Sequence, residues 1–321
     1  MNKKFFAILL AVALLTLALA GCSGSQKPEE NKTYNVGILQ LVQHEALDAA
    51  TKGFRDVLTE KLGENVKFNE QNAQGESANC TTIATQFVAD NVDLIMANAT
   101  PALQAAFTAT DKIPVLGTSI TDYASALDIK DWTGKTGFNV SGTSDLAPLD
   151  GQATIIKELC PNAKKVGLLY CSAEPNSKYQ CDTISQYLTD YELKTFTFSD
   201  SNDIAAVVTS ACEEMDVLYV PTDNTAASNA GIIDNIASEK KIPVICGEEG
   251  ICKGCGVATL SISYYDLGRA TGEMAYEILV NGANPAEMDV RFAAATTKKY
   301  DAARAAALGI TIPEGYEAIA N

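Results

Sequence analysis

The polar residues of this chain that could do chemistry recur at one kind of place, the few positions just after a short apolar run. Gln40 and His44 follow Val36-Gly37-Ile38-Leu39, and Thr100 and Pro101 follow Leu94-Ile95-Met96. Thr118, Ser119 and Asp122 follow Ile113-Pro114-Val115, and Glu174, Asn176 and Ser177 follow Val166-Gly167-Leu168-Leu169. Asp223 and Asn224 follow Val217-Leu218, and Gly247 and Glu248 follow Ile242-Pro243-Val244. Hydroxyls, amides and carboxylates in this arrangement suit binding more than bond making. The single histidine, His44, has no nucleophile beside it in sequence, and neither a Ser-His-Asp order nor a nucleophile elbow is present. The four arginines (Arg55, Arg269, Arg291 and Arg304) all lie outside these loops, which disfavours a phosphorylated ligand. A zwitterion fits better: its carboxylate can take helix N-terminal N–H groups and hydroxyls near Thr100 or Ser119, and its ammonium a carboxylate such as Asp223. Each residue also has a plainer reading. Asp223 can serve only as a helix cap, Thr100-Pro101 only as a helix start, and Asn176 and Ser177 only as turn formers.

Short apolar runs that end in polar loops are how buried parallel strands read, and here they come in two matched sets. Lys112-Ile113-Pro114-Val115 is echoed by Lys241-Ile242-Pro243-Val244, Val36-Gly37-Ile38-Leu39 by Val166-Gly167-Leu168-Leu169, and Val92-Asp93-Leu94-Ile95 by Met215-Asp216-Val217-Leu218. Between the runs lie helical patterns, at Glu45 to Leu62, Ser77 to Asp90 with Ser77 as cap, Asp150 to Leu159, Tyr179 to Asp190, Ile204 to Cys212, Ala226 to Lys240 and Tyr265 to Asn281. Alternating strands and helices give an α/β fold of two doubly wound parallel-sheet lobes, joined by a hinge of several strands. The expected boundaries are 33–142 plus about 265–291 for lobe one, and 143–264 plus about 292–321 for lobe two. The crossovers fall near Gly142 and Ser263. Ligands of such sheets bind beyond the strands' carboxyl ends, so the polar loops of the two lobes should face one cleft.

The 321 residues carry a formal charge of −16 and are 47% hydrophobic. That composition supports packed cores and disfavours nucleic acid as a partner. Residues 1–21 read as an export leader, with Lys3 and Lys4 ahead of the apolar stretch Phe5 to Leu17. Removing it deepens the net charge to −18. Leu19-Ala20-Gly21-Cys22 resembles the lipobox of bacterial lipoproteins, which implies a lipid on Cys22, a membrane anchor, and a flexible tether over residues 22–32. The other eight cysteines are irregularly spaced. Cys252-Lys253-Gly254-Cys255 stands without a second such pair, so neither a metal nor another cofactor is implied. Buried thiols with one local disulfide are expected.

Several segments resemble the substrate-binding lipoproteins of ABC transporters of the tryptophan/tyrosine type. They are Gly37-Ile38-Leu39-Gln40 with His44, Ala46-Leu47-Asp48 and Gly53-Phe54, then Gln71-Asn72-Ala73-Gln74-Gly75, Ala99-Thr100-Pro101-Ala102, Asn139-Val140-Ser141-Gly142-Thr143-Ser144-Asp145, Glu174 with Asn176-Ser177, and Pro221-Thr222-Asp223-Asn224-Thr225. The resemblance covers the mature chain. It implies a type I periplasmic-binding fold working as a monomer that captures an aromatic amino acid (tyrosine, phenylalanine or tryptophan) and delivers it to a permease driven by an ATPase. It also adds Asn139 to the candidate site. Thr121-Asp122-Tyr123 stands where the family commonly has Thr/Ser-Asp-Pro, a departure that falls on the side-chain pocket. Tyr123, Tyr264 and Trp132 are candidate ring-stacking walls. Two other readings stay open: a ligand-sensing lipoprotein, and a two-lobed racemase with Cys171 as a catalytic thiol, although its counterpart in lobe one, Gln40-Leu41, offers no acid or base.

Overall fold

The computed structural model describes residues 32–320; the leader, Cys22 and nearly all of the tether lie outside the described residues. Among the described residues the strands form two sheets. The first holds β1 (Tyr34–Gln40), β2 (Val66–Asn72), β3 (Leu94–Asn98), β4 (Val115–Ile120), β5 (Val140–Ser144) and β11 (Arg291–Phe292), all parallel, in the order β11-β5-β4-β3-β1-β2. The second holds β6 (Lys165–Cys171), β7 (Glu192–Phe198), β8 (Val217–Val220), β9 (Val244–Cys246), β10 (Ala258–Ser261), β12 (Thr297–Tyr300) and β13 (Glu317–Ala318), in the order β13-β12-β10-β9-β8-β6-β7. Its one antiparallel pairing joins β10 to β12. We call each sheet with its helices a lobe.

The strands alternate between two buried faces, which is why they read as unbroken apolar runs. In lobe one, Val36, Ile38, Leu94 and Met96 pack with Phe54 and Leu58 on one side, while Leu39, Ile95 and Ala97 pack with Phe87 and Leu103 on the other. In lobe two, Val166, Leu168 and Tyr219 meet Ile155 and Ile156, while Leu169, Leu218 and Val220 meet Val208 and Ile233. The echoed segments occupy the same place in each sheet. The Pro114 carbonyl accepts from Ile95 N and the Pro243 carbonyl from Leu218 N, both at 2.9 Å. Proline fits here because its position uses only its carbonyl in the ladder.

Helices α1 (Glu45–Leu62), α2 (Ser77–Ala89), α3 (Thr100–Ala109) and the short α4 (Tyr123–Ala126) belong to the first half. They are followed by α5 (Leu149–Leu159), α6 (Pro175–Ile184), α7 (Ile204–Glu214), α8 (Asn224–Ser228), α9 (Ala230–Lys240) and α10 (Glu249–Cys255). The last two are α11 (Tyr264–Leu279) and α12 (Ala302–Leu308). Three expectations need correction. Glu76, not Ser77, holds the cap position of α2, with no side-chain bond. Helix α6 begins at Pro175 rather than Tyr179, because proline supplies the first helical turn. The segment expected as one helix from Ala226 breaks at Asn229 into α8 and α9. The chain passes between the sheets three times, after β5, after β10 and between β11 and β12. After the second crossing α11 packs on α1 so closely that a Cβ on Gly268 would stand 1.9 Å from the Ala50 carbonyl oxygen.

Candidate functional site

At the carboxyl ends of the lobe-two strands, the sequence places two acidic residues against a layer of donors. Glu174, after β6, is 4% exposed. One of its oxygens accepts from Thr225 N and Thr225 Oγ1, each at 2.8 Å. The other accepts from Asn176 Nδ2 at 3.1 Å, Asn224 N at 3.0 Å and Asn224 Nδ2 at 2.6 Å. Asp223, after β8, is 1% exposed and takes Cys171 N at 2.7 Å, Ser177 Oγ at 2.8 Å and Ala226 N at 2.7 Å. It therefore caps α8 as its plainer reading held, and both its oxygens already have protein donors. Burial, then the nearby Glu174, push the Asp223 carboxyl well above the usual range. No Lys or Arg is among the partners given to either carboxylate.

This network fixes a proton on the other lobe. Because Asn224 spends its Nδ2 on Glu174, its Oδ1 is the atom that meets His44 Nε2, at 3.1 Å across the lobes. His44 Nε2 must then be the donor, which leaves Nδ1 with a lone pair. Burial holds the ring's pKa below its ordinary value, so it is neutral. Nδ1 is sealed from solvent and has no partner among the described residues. The same holds for Asn176 Oδ1, whose Nδ2 is oriented by Glu174 and by Thr222 O, and for Ser119 Oγ. Buried polar atoms are rarely left so, and each costs about 1–3 kcal/mol. Asn98 Oδ1 and Thr259 Oγ1 are also unpartnered.

Lobe one contributes strained backbone where lobe two contributes carboxylates. Ala99 at φ 88 precedes Thr100 and Pro101, which open α3, and Ser119 at φ 56 ends the regular part of β4. Non-glycine residues at positive φ are uncommon and cluster at functional loops. Asp122 is partly buried and caps α4 through Ser125 N at 2.7 Å. Not every candidate turns toward the cleft. Gln40 is absorbed within its lobe, donating to Val42 O and Asp48 and accepting from Thr51. The Thr118 hydroxyl faces the helix layer, in a chain with Thr143 and Thr271. Gly247 is a spacer: a Cβ there would stand 2.5 Å from Thr222 N. Glu248 caps α10 through Gly250 N and Ile251 N, and burial pushes its carboxyl up to about 7. It borders a separate cavity of about 490 Å³ beside the crossovers, with Glu45, Ser261, Tyr264, Phe292 and Lys299.

Asn139 is a correction. It sits at the amino edge of the sheet, donating to the Thr110 and Ile113 carbonyls at 3.0 and 2.7 Å, so the strand separates it from the loops above. Tyr123 is another: its ring is fully buried in the lobe-one core, with its hydroxyl on Thr143 O. Trp132 also packs against that core, whereas Tyr264 stands at the second crossover and donates to Asp145 at 2.9 Å. The reading of the sequence passed over Gln180. Its Nε2 reaches Thr121 Oγ1 of lobe one at 3.3 Å and Thr222 O of lobe two at 3.3 Å. Its place one helical turn after Asn176 was the available signal. A third link between the lobes, Lys253 to Glu45 at 2.6 Å, completes a closed arrangement.

Residues 35–321 match the family model for ABC transporter substrate binding proteins. A tyrosine-binding protein of Clostridioides difficile (strain R20291) is 40% identical over 292 residues, covering 87% of this chain and 84% of that one. The structure is similar to an ABC domain in complex with L-Trp from Streptococcus pneumoniae, with a TM-score of 0.85, 35% identity, and coverage of 90% of this chain and 100% of that one. A ligand-free, open substrate-binding protein with adhesive properties from Clostridium difficile superposes with a TM-score of 0.68 at 38% identity, covering 89% and 99%.

Proposed function

The chain belongs to the ABC transporter substrate-binding proteins, which work outside the cytoplasmic membrane, and we propose that it captures an aromatic amino acid between its lobes for import. The observation that carries this reading is the set of sealed, unpartnered polar atoms at the strand ends of both lobes, with His44 and Asn176 linked across the lobes through Asn224 and Glu174. His44 Nδ1 and Asn176 Oδ1 are acceptors, linked through Asn224 and Glu174. They suit the N–H groups of an ammonium, and the buried Glu174 carboxylate beside Asp223 supplies the matching field. The ammonium answers that field without displacing the donors already on Asp223. The Ser119 hydroxyl and the amino end of α3 at Thr100 receive the carboxylate. The tyrosine- and L-Trp-binding relatives support an aromatic side chain. The closer match to the L-Trp complex than to the open, ligand-free protein supports hinge closure as the binding step. The protein is a monomer held to the membrane by lipidated Cys22, and the closed form docks on a permease.

A catalytic reading has less support. Burial pushes the Cys171 thiol up to about 11, away from the thiolate that a racemase needs, and its backbone N–H is spent on Asp223. A thermal-shift screen of the standard amino acids tests the proposal, since a ligand that binds only the folded state raises the melting temperature. Tyrosine, phenylalanine or tryptophan should give the largest rise. Silence from all three removes the aromatic assignment.

A further inference from the structure

Behind the Glu248 loop, three thiols meet. Cys246 ends β9, and Cys252 and Cys255 lie one turn apart on α10. All three are buried, and Cys255 alone retains any exposure beyond zero, at 3%. Burial, then the neighbouring Cys252 and Cys255 thiols, push the Cys246 thiol up. A Cβ on Gly256 would stand 2.4 Å from Cys246 Sγ and 3.1 Å from Cys252 Sγ, so glycine at this position is what lets strand and helix bring their sulfurs together. Among the described residues no three His, Cys, Asp or Glu side chains converge as a metal site requires. Cys80, Cys160 and Cys212 are also buried and free, on or just after helices rather than at the end of β9.

We propose that this cluster is a thiol–disulfide site in which Cys246 joins the helix pair Cys252/Cys255, tying the end of β9 to α10 on the far side of the loop that holds Glu248. The oxidant is a low-molecular-weight disulfide. The thiolate of Cys255, the least enclosed of the three, attacks it and expels one small thiol, leaving a mixed disulfide on the protein. Cys246 then attacks the protein sulfur and expels the second small thiol. Two protein thiols and one disulfide become one protein disulfide and two small thiols. Exchange from Cys252 can pass the bond along within the cluster. Helix α10 also carries Lys253, whose ion pair with Glu45 links the lobes, so the bond stiffens a segment engaged in closure.

The site is tested on the intact folded protein with excess oxidised glutathione, followed by alkylation, trypsin digestion and mass spectrometry. Cleavage after Lys241, Lys253 and Arg269 puts Cys246 and Cys252 in peptide 242–253 and Cys255 in peptide 254–269. The expected result is loss of two alkylatable thiols with Cys246 bonded, either to Cys255 across the two peptides or to Cys252 within the first. Full alkylation of Cys246 after oxidation overturns the proposal, whether no bond forms or Cys252 pairs with Cys255 alone. Cys160→Ser, remote from the cluster, should leave the result unchanged, and the wild-type reading does not depend on any variant folding.

Discussion

Asp93 in lobe one accepts from Asn35 N, and Asp216 in lobe two accepts from Lys164 N and Lys165 N; Pro114 and Pro243 close the same rung of each sheet. Up to their carboxyl ends the strands of the two lobes are nearly interchangeable. Beyond those ends they diverge. Lobe two presents Glu174 and Asp223, buried and held by backbone N–H groups, hydroxyls and amides without a neighbouring cation. Lobe one presents Thr100 and Ser119 on backbone forced to positive φ at Ala99 and Ser119. The same scaffold thus carries an acceptor-rich, negative wall and a donor-bearing wall. On the proposed reading, these two groups of loops select one molecule with two opposite ends. A symmetric duplication would select a symmetric ligand.

That contrast can be broken most severely at Glu174. Glu174→Gln removes the charge and turns an NH2 toward several of the donors that now converge there, and affinity should fall about 100-fold, ~2.7 kcal/mol, by calorimetry. Asp223→Asn keeps an oxygen for the α8 cap but turns an NH2 toward the Cys171 N–H and Ser177 hydroxyl donors, so a loss of about tenfold is expected in the same titration. Ser119→Ala takes only one hydroxyl from the opposite wall, and a weakening of about threefold is expected. An unchanged Kd for Asp223→Asn would mean that the Asp223 network does not position the groups that meet the ligand.

Acid should relieve the ligand-free protein of part of this strain. Glu248, raised by burial to about 7, and Asp223, raised by burial and Glu174, hold their protons more tightly folded than unfolded. Stability is then greatest where both states are protonated and falls as pH climbs through the folded values. The apo melting temperature should be a few degrees higher at pH 6.5 than at pH 8. The comparison does not go below His44's ordinary value of 6.5, because a buried neutral histidine loses stability below it. A flat profile would argue against the raised carboxylates. The smallest effect on binding is expected at Asn139, where Asn139→Ala should lower the melting temperature and leave affinity unchanged, since its bonds tie two backbone carbonyls at the far edge of the sheet.

The sheets were legible because parallel strands buried on both faces must be apolar throughout, and because Ile113-Pro114-Val115 and Ile242-Pro243-Val244 repeat a rung that needs a carbonyl but no N–H. The direction of individual side chains was less so. Thr118 and Ser119 are adjacent, yet one faces the helix layer and the other is unpartnered beyond it, a one-residue alternation that a loop reading blurs. Gln180 and Thr121 touch only because the lobes close, and no local pattern encodes that. Asn139 entered through similarity of a segment that begins below the sheet and ends above it. Asp223 was found for its position and its local cap, but its bonds to Cys171 N and Ser177 Oγ are tertiary and had to be seen.

The central claim is that the lobe-two carboxylate network with His44 takes an ammonium, and the Thr100 and Ser119 loops of lobe one take a carboxylate. Calorimetry with L-tyrosine, its carboxamide and its deaminated acid tests this most directly. Tyrosine should bind, and each analogue, lacking one charge, should bind at least about 100-fold more weakly. Binding of the deaminated acid as tight as that of tyrosine would contradict the account.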